Sequence, residues 1–199
     1  FLELRTIFTN FPNNLAIGLG VWSKPLYAYT IGLVVSVLNI KILFYAQIIG
    51  VILTLSTSYF VLLILKKLGA NFFVQLLGLI FTNFTFIIFR SSLSIMTEPI
   101  FGLFLIVAFY LFISKRYILS SIFIGLLVLG RIEGLLFIII FWIFYLFTKP
   151  SGKKLLMFSI PLILPAIIWN FIGFLYTKIP LFIIYGGYPT YAGKYGYGS

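Results

Sequence analysis

The sequence predicts an all-α integral membrane protein of about six transmembrane helices plus one short juxtamembrane helix, given the roughly 20 apolar residues that each bilayer crossing needs. Three observations predict it. Hydrophobic residues make up 62% of the 199-residue chain and charged residues only 9%, where a soluble domain carries about half and a quarter. The apolar residues come in continuous runs, whereas a transmembrane barrel strand alternates. The few charges fall mostly in the short connections between those runs. The chain reads as one transmembrane domain, 1–199, and as a piece of a longer protein. It divides into an outer-loop and juxtamembrane segment at 1–40, helices at 41–176 and an outer loop at 177–199.

Each element has its reason. Phe1–Lys24 is mixed and polar, and Asn10, Pro12, Asn13 and Asn14 break any long helix. Pro25–Leu38 is apolar, but as a helix it would be about 21 Å long, short of a hydrocarbon core of roughly 30 Å. It reads as interfacial or re-entrant. Lys41–Leu65 is long enough to span and closes on Lys66-Lys67-Leu68-Gly69, cations followed by a C-cap glycine. Asn71–Phe89 spans back. Glu98–Ile113 opens with Thr97 as N-cap and with Glu98 and Pro99 in its first turn. Tyr117–Gly130 and Gly134–Phe147 form a short pair meeting at Arg131-Ile132-Glu133. Leu155–Tyr176 is the last span, which Pro161 and Pro165 should kink. Asn83-Phe84-Thr85 has the form of a glycosylation sequon but lies inside a predicted span and is discounted.

Net charge is +11, from 14 Lys and Arg against 3 acids. On a soluble protein this would suggest nucleic acid. Here no nucleic-acid partner is expected, because Lys66, Lys67, Lys115, Arg116, Lys149, Lys153 and Lys154 sit at alternate connections. That places them on one side, which the positive-inside rule makes cytoplasmic; they read as topology determinants without chemistry. The other side receives the N-terminal segment, the Arg90–Thr97 loop, the Arg131–Glu133 turn and the Lys178–Ser199 tail, and with them all three carboxylates, Glu3, Glu98 and Glu133. With no Cys and no His, disulfide, thiolate and imidazole chemistry are excluded within the chain.

An ionisable residue at the mouth of a membrane helix is a functional-site hypothesis by default. Glu98 is either an acid favoured by the helix dipole, worth about 0.3–1 kcal/mol, or an active-site carboxylate. Lys24 is an interfacial anchor or a point charge on phosphate. Arg131 either neutralises its turn through Glu133 or Glu98, or turns its guanidinium fork to a phosphate. Glu133 reads as the partner of Arg131 or a cap for the next helix. Arg90 is a cation favoured at a helix C-terminus. The glycine- and tyrosine-rich tail around Tyr191 and Lys194 is an interfacial aromatic belt or a mobile lid.

The order of these features resembles the GT-C superfamily of membrane glycosyltransferases, which use polyprenyl- or dolichyl-phosphate-linked sugars. Phe1-Leu2-Glu3-Leu4-Arg5 looks like the stretch that follows the family's essential outer-loop Asp, which the resemblance puts just upstream of Phe1. Trp22-Ser23-Lys24-Pro25-Leu26-Tyr27 is similar to the Lys-Pro-aromatic start of a juxtamembrane helix. Thr97-Glu98-Pro99 matches the acid of a second outer loop. Leu129-Gly130-Arg131-Ile132-Glu133-Gly134 matches a later turn, with Gly130 where Thr is commoner.

The resemblance implies a GT-C-like helical bundle, multi-pass in a prokaryotic plasma membrane or in the endoplasmic reticulum. It implies inverting transfer of a sugar from a polyprenyl- or dolichyl-phosphate donor to a protein, lipid or glycan acceptor on the non-cytoplasmic face. Glu98 would be catalytic or hold a divalent metal ion, the one cofactor such a site allows. Lys24, Arg131, Glu3, Arg5, Tyr191 and Lys194 would bind substrate or phosphate. Two other classes stay open: a transporter or flippase gated by a Glu98–Arg131 pair, and a non-catalytic assembly subunit.

Overall fold

The computed structural model describes residues 42–85 and 97–177 together with Leu26, and all regular structure among them is helical. Helix α1 (Ile42–Lys67) ends on its two lysines. Past them, Gly69 N–H donates to the carbonyl of Lys66 and Ala70 N–H to that of Leu65, the paired bonds of a Schellman stop. Helix α2 (Phe72–Phe84) starts where the Asn71 side chain accepts from the Val74 amide. Helices α3 (Glu98–Ile113), α4 (Tyr117–Gly130) and α5 (Gly134–Phe147) occupy the predicted positions. Helix α6 (Gly152–Thr177) begins about one turn earlier than expected and carries Pro161 and Pro165 inside it.

Two helices, over Gln47–Lys67 and Gly152–Leu175, are long and apolar enough to cross a membrane. The others have 13 to 16 residues, about 20–24 Å at the helical rise. The six full spans expected from the apolar runs are thus two by length among the described residues. Polar turns set this limit. Ser114-Lys115-Arg116, Arg131-Ile132-Glu133 and Thr148-Lys149-Pro150 close α3, α4 and α5 in turn after only about four turns each. Helix α2 also stops at Phe84, short of the expected Phe89. Thr82 and Thr85 hydroxyls and the Asn83 amide turn back to the carbonyls of Gly78, Phe81 and Leu79, and Thr85 itself is extended. Asn83 also accepts from the Ser58 hydroxyl of α1 at 3.0 Å, so its amide is used in helix pairing, in keeping with the discounted sequon.

Helix α4 is the centre, packed against α3, α5 and α6, while α1 links α2 to α3. Ala108, Ile124, Leu127, Phe158 and Leu162 have no exposed surface, and the Tyr145 and Phe158 rings stack at 4.1 Å. Small residues let α4 in: buried Ser120 donates to the Ala108 carbonyl of α3 at 2.8 Å. A Cβ on Gly125 would strike the Pro161 and Leu162 carbonyl oxygens of α6. The Pro161 carbonyl is one that Pro165, lacking an N–H, leaves without its helical donor, so the closest approach of α4 falls on the proline-interrupted turn. Ser121-x-x-x-Gly125 is the small-x-x-x-small spacing that permits it.

The outward faces stay apolar. Phe72, Phe84 and Phe147 are each more than three-quarters exposed, and Leu55, Ile139, Ile167 and Phe171 more than half. The two ends of the bundle differ in charge. Lys67 Nζ donates to Ser114 Oγ at 2.9 Å, bringing the C-termini of α1 and α3 to one end with the basic turns. The N-terminus of α3 and the α4–α5 turn lie at the other.

Candidate functional site

At that second end the structure brings together three of the predicted residues. Glu98 stands in the first turn of α3, with Thr97 before it and Pro99 after it. Thr97 occupies the expected N-cap position, but its backbone is α-like and its side chain caps nothing; an extended backbone is what points a hydroxyl back at the helix amides. Arg131 follows α4 in an extended conformation with its N–H on the Leu127 carbonyl. The amides of Gly134, Leu135 and Leu136 then fold back onto the carbonyls of residues 131, 132 and 133. Gly134 is required there: a Cβ would sit 2.6 Å from the Leu127 carbonyl carbon and the Val128 nitrogen. The turn is therefore pressed onto α4, which aims Arg131 across at α3.

The guanidinium bridges both acids. Arg131 Nη1 donates to Glu98 Oε1 at 2.5 Å, while Nε and Nη2 clasp Glu133 at 3.2 and 2.8 Å. Glu133 is thus the partner of Arg131, and its side chain does not cap α5. The hydrogen bonds that Arg131 donates to Glu133 hold its guanidinium above its ordinary pKa, against the opposing pull of desolvation, and the charges of Glu133 and Glu98 add to the rise. Arg131 is about one-third exposed and Glu98 40%, so the cluster opens to the surface. The second carboxylate oxygen of Glu98, Oε2, is nonetheless buried and has no hydrogen-bond partner among the described residues. One oxygen of Glu98 is anchored and the other is left to accept.

Leu26 packs against Ile100, two residues beyond Glu98, and lies beside Gly130. A Cβ at Gly130 would come within 3.3 Å of the Leu26 side chain, so the glycine leaves room for this contact. Lys24, Glu3, Arg5, Arg90, Tyr191 and Lys194 lie outside the described residues. For the expected metal, no group of three or more His, Cys, Asp and Glu forms among the described residues. Three of the four oxygens of Glu98 and Glu133 are on Arg131. Of these oxygens only Glu98 Oε2 is without a partner among the described residues, and a hard divalent ion would draw its remaining oxygen ligands from elsewhere.

The sequence reading missed one assembly at the opposite end. Lys115, Arg116, Lys149 and Lys154 line a single cavity of about 600 Å³. Its signal was the repetition of a basic turn after α3 and after α5, but only the packing of α4 beside α6 joins the two. Comparison with protein-family models, with curated proteins and with solved structures found no match to this chain.

Proposed function

We propose that this chain is a membrane glycosyltransferase unit that passes a sugar from a polyprenyl- or dolichyl-phosphate donor to an acceptor on the non-cytoplasmic face. The observation that carries the reading is the meeting of Glu98 with Arg131 at the end of the bundle away from the basic turns. Under the positive-inside rule the basic end is cytoplasmic, so the carboxylates face the other compartment. Two helices of spanning length and largely apolar outer faces support insertion in a bilayer. The docking of Leu26 beside Ile100 and Gly130 brings the residue that follows the Lys24-Pro25 pair to the same end.

In this reaction the acceptor oxygen or nitrogen bonds to the sugar C1, the C1–O bond to phosphate breaks, and the acceptor proton passes to a carboxylate base. Glu98 Oε2 accepts a hydrogen bond from the acceptor, while Arg131 on Oε1 fixes the carboxylate in place. Arg131 makes three hydrogen bonds of the five that a guanidinium can donate, and the remaining N–H groups reach for the leaving phosphate with Lys24. Glu3, Arg5, Tyr191 and Lys194 complete the donor site in this reading. No step is assigned to a metal.

A second reading has a specific observation in its favour. The direct Arg131–Glu98 contact is the pair that a transporter gate would use. Membranes bearing the full-length protein, given radiolabelled polyprenyl-phosphate sugar and acceptor extract, separate the two. Glu98→Gln is expected to lower transfer at least about 100-fold at unchanged membrane abundance. Transfer that survives the substitution, with solute or lipid translocation lost instead, makes the pair a gate.

A further inference from the structure

We propose that the cavity between the α3–α4 and α5–α6 turns binds the phosphate headgroup of an anionic lipid in the cytoplasmic leaflet. The inference rests on the membrane orientation argued above, but not on sugar transfer.

The charge of the cavity is one-sided. Lys115 and Arg116 enter from one turn, and Lys149 and Lys154 from the other. The two described carboxylates are both held by Arg131 at the opposite end of the bundle, so no acid among the described residues neutralises these four cations. Lys67, by contrast, is engaged by Ser114 and lies 5.8 Å from the Tyr110 ring centroid, and does not line the cavity.

The backbone adds to the positive field. The first intrahelical bonds of α4 and α6 run from Ser120 to Arg116 and from Leu155 to Ser151, and no side chain caps α4. The preceding amides of Tyr117, Ile118 and Leu119, all cavity-lining, are left for another acceptor. Lys115 and Lys149 moreover hold left-handed backbones, at φ 60° and 51°, where glycine is the ordinary choice. The third turn at this end does use a glycine, Gly69 at φ 75°, and it lines no part of the cavity.

What distinguishes a lipid from free phosphate is the rim. Ile118, Leu119 and Met157 are each more than 40% exposed and line the same opening, so a phosphate seated among the cations would have its apolar tail beside apolar side chains. Basic pockets between membrane helices on the cytoplasmic side are suited to anionic headgroups in this way.

The test uses the full-length protein in nanodiscs of phosphatidylcholine containing 10% phosphatidic acid or phosphatidylglycerol, with lipid retention read by native mass spectrometry. Lys149→Gln with Lys154→Gln is compared with Lys66→Gln with Lys153→Gln, which removes the same charge from the same end but outside the cavity. The cavity pair is expected to weaken retention of the anionic lipid about 10-fold and the control pair less than 3-fold. Equal losses would mean general surface attraction and overturn the proposal. Binding of inorganic phosphate as tight as that of the lipid, or no preference for anionic lipid in the wild type, overturns it as well. Should the double variant fail to insert, Lys115→Gly removes one cation while suiting the left-handed backbone, and unchanged retention there counts against the site. A wild type that retains anionic lipid but transfers no sugar, or that transfers sugar but shows no such retention, shows which of the two readings has failed.

Discussion

The two ends of the bundle handle charge in opposite ways. At the α3 N-terminus, two carboxylates share one guanidinium, all three side-chain nitrogens of Arg131 bond within the cluster, and Gly134 presses the turn into place. At the basic end, four cations line one cavity without a described acid near them, two of them on left-handed backbones. An internally paired cluster fixes the direction of a side chain and leaves a particular atom, Glu98 Oε2, without a described partner. An unneutralised cluster stays available to a counter-ion from outside. The difference separates a site that positions from a site that attracts.

The largest effect that would sharpen this contrast is on activity. Glu98→Gln keeps the shape and loses the charge, and in the transfer assay a loss of at least about 100-fold is expected, whereas Lys149→Gln with Lys154→Gln should change transfer less than about 3-fold. Comparable losses from both ends would break the division of roles. A second effect tests the element joining the ends. Gly125→Ala drives a methyl into the Pro161 and Leu162 carbonyls, and overpacking of this kind costs about 1–3 kcal/mol. Thermal unfolding in detergent should show the loss, and a neutral result would mean that α4 and α6 can part without penalty.

Much of this architecture was legible in the sequence, for physical reasons. Helices α3, α4 and α5 end where expected because Thr97-Glu98-Pro99, Ser114-Lys115-Arg116 and Arg131-Ile132-Glu133 interrupt unbroken apolar runs. The meeting of Glu98, Arg131 and Glu133 followed from counting turns, since antiparallel neighbours return alternate turns to the same end. What failed to show were effects of side chains on their own backbone and of one helix on another. Thr82, Asn83 and Thr85 look like ordinary polar insertions in an apolar run, yet they bond back to carbonyls one turn earlier where α2 ends, and Asn83 also takes a bond from Ser58 of α1. Run length alone does not establish the span count: the apolar stretches of 14 residues read as spans form α4 and α5, which are short by about a third of the core thickness. The cavity was invisible because Lys115 and Lys154 share it only through tertiary packing.

Within the carboxylate end, the sizes of two losses should rank. Arg131→Gln leaves Glu98 and Glu133 facing each other without a counter-charge, and because the cluster is about one-third exposed the expected cost in thermal unfolding is about 1–2 kcal/mol. Glu133→Gln, at a half-exposed position, should cost about 0.2–1 kcal/mol. If Glu133→Gln proves the more costly, the cluster is organised around Glu133, and Glu98 loses its claim to be the group that Arg131 exists to orient.

The smallest expected effect asks why lysines stand at left-handed positions of the basic end. A non-glycine residue there costs about 1–2 kcal/mol, and Lys115→Gly relieves it. The glycine also gives the unfolded chain more freedom, which takes back about 0.4–1 kcal/mol. The net gain in unfolding free energy should therefore be about 0.5–1 kcal/mol. The reciprocal change, Gly69→Ala, meets no atom within 4 Å, so it should lose stability through φ alone. If Lys115→Gly raises stability while lowering lipid retention, the strained lysine is held for its charge in the cavity. If stability rises and retention does not fall, Lys115 marks only the side of the membrane on which its turn lies, and the result counts against the cavity as the lipid site.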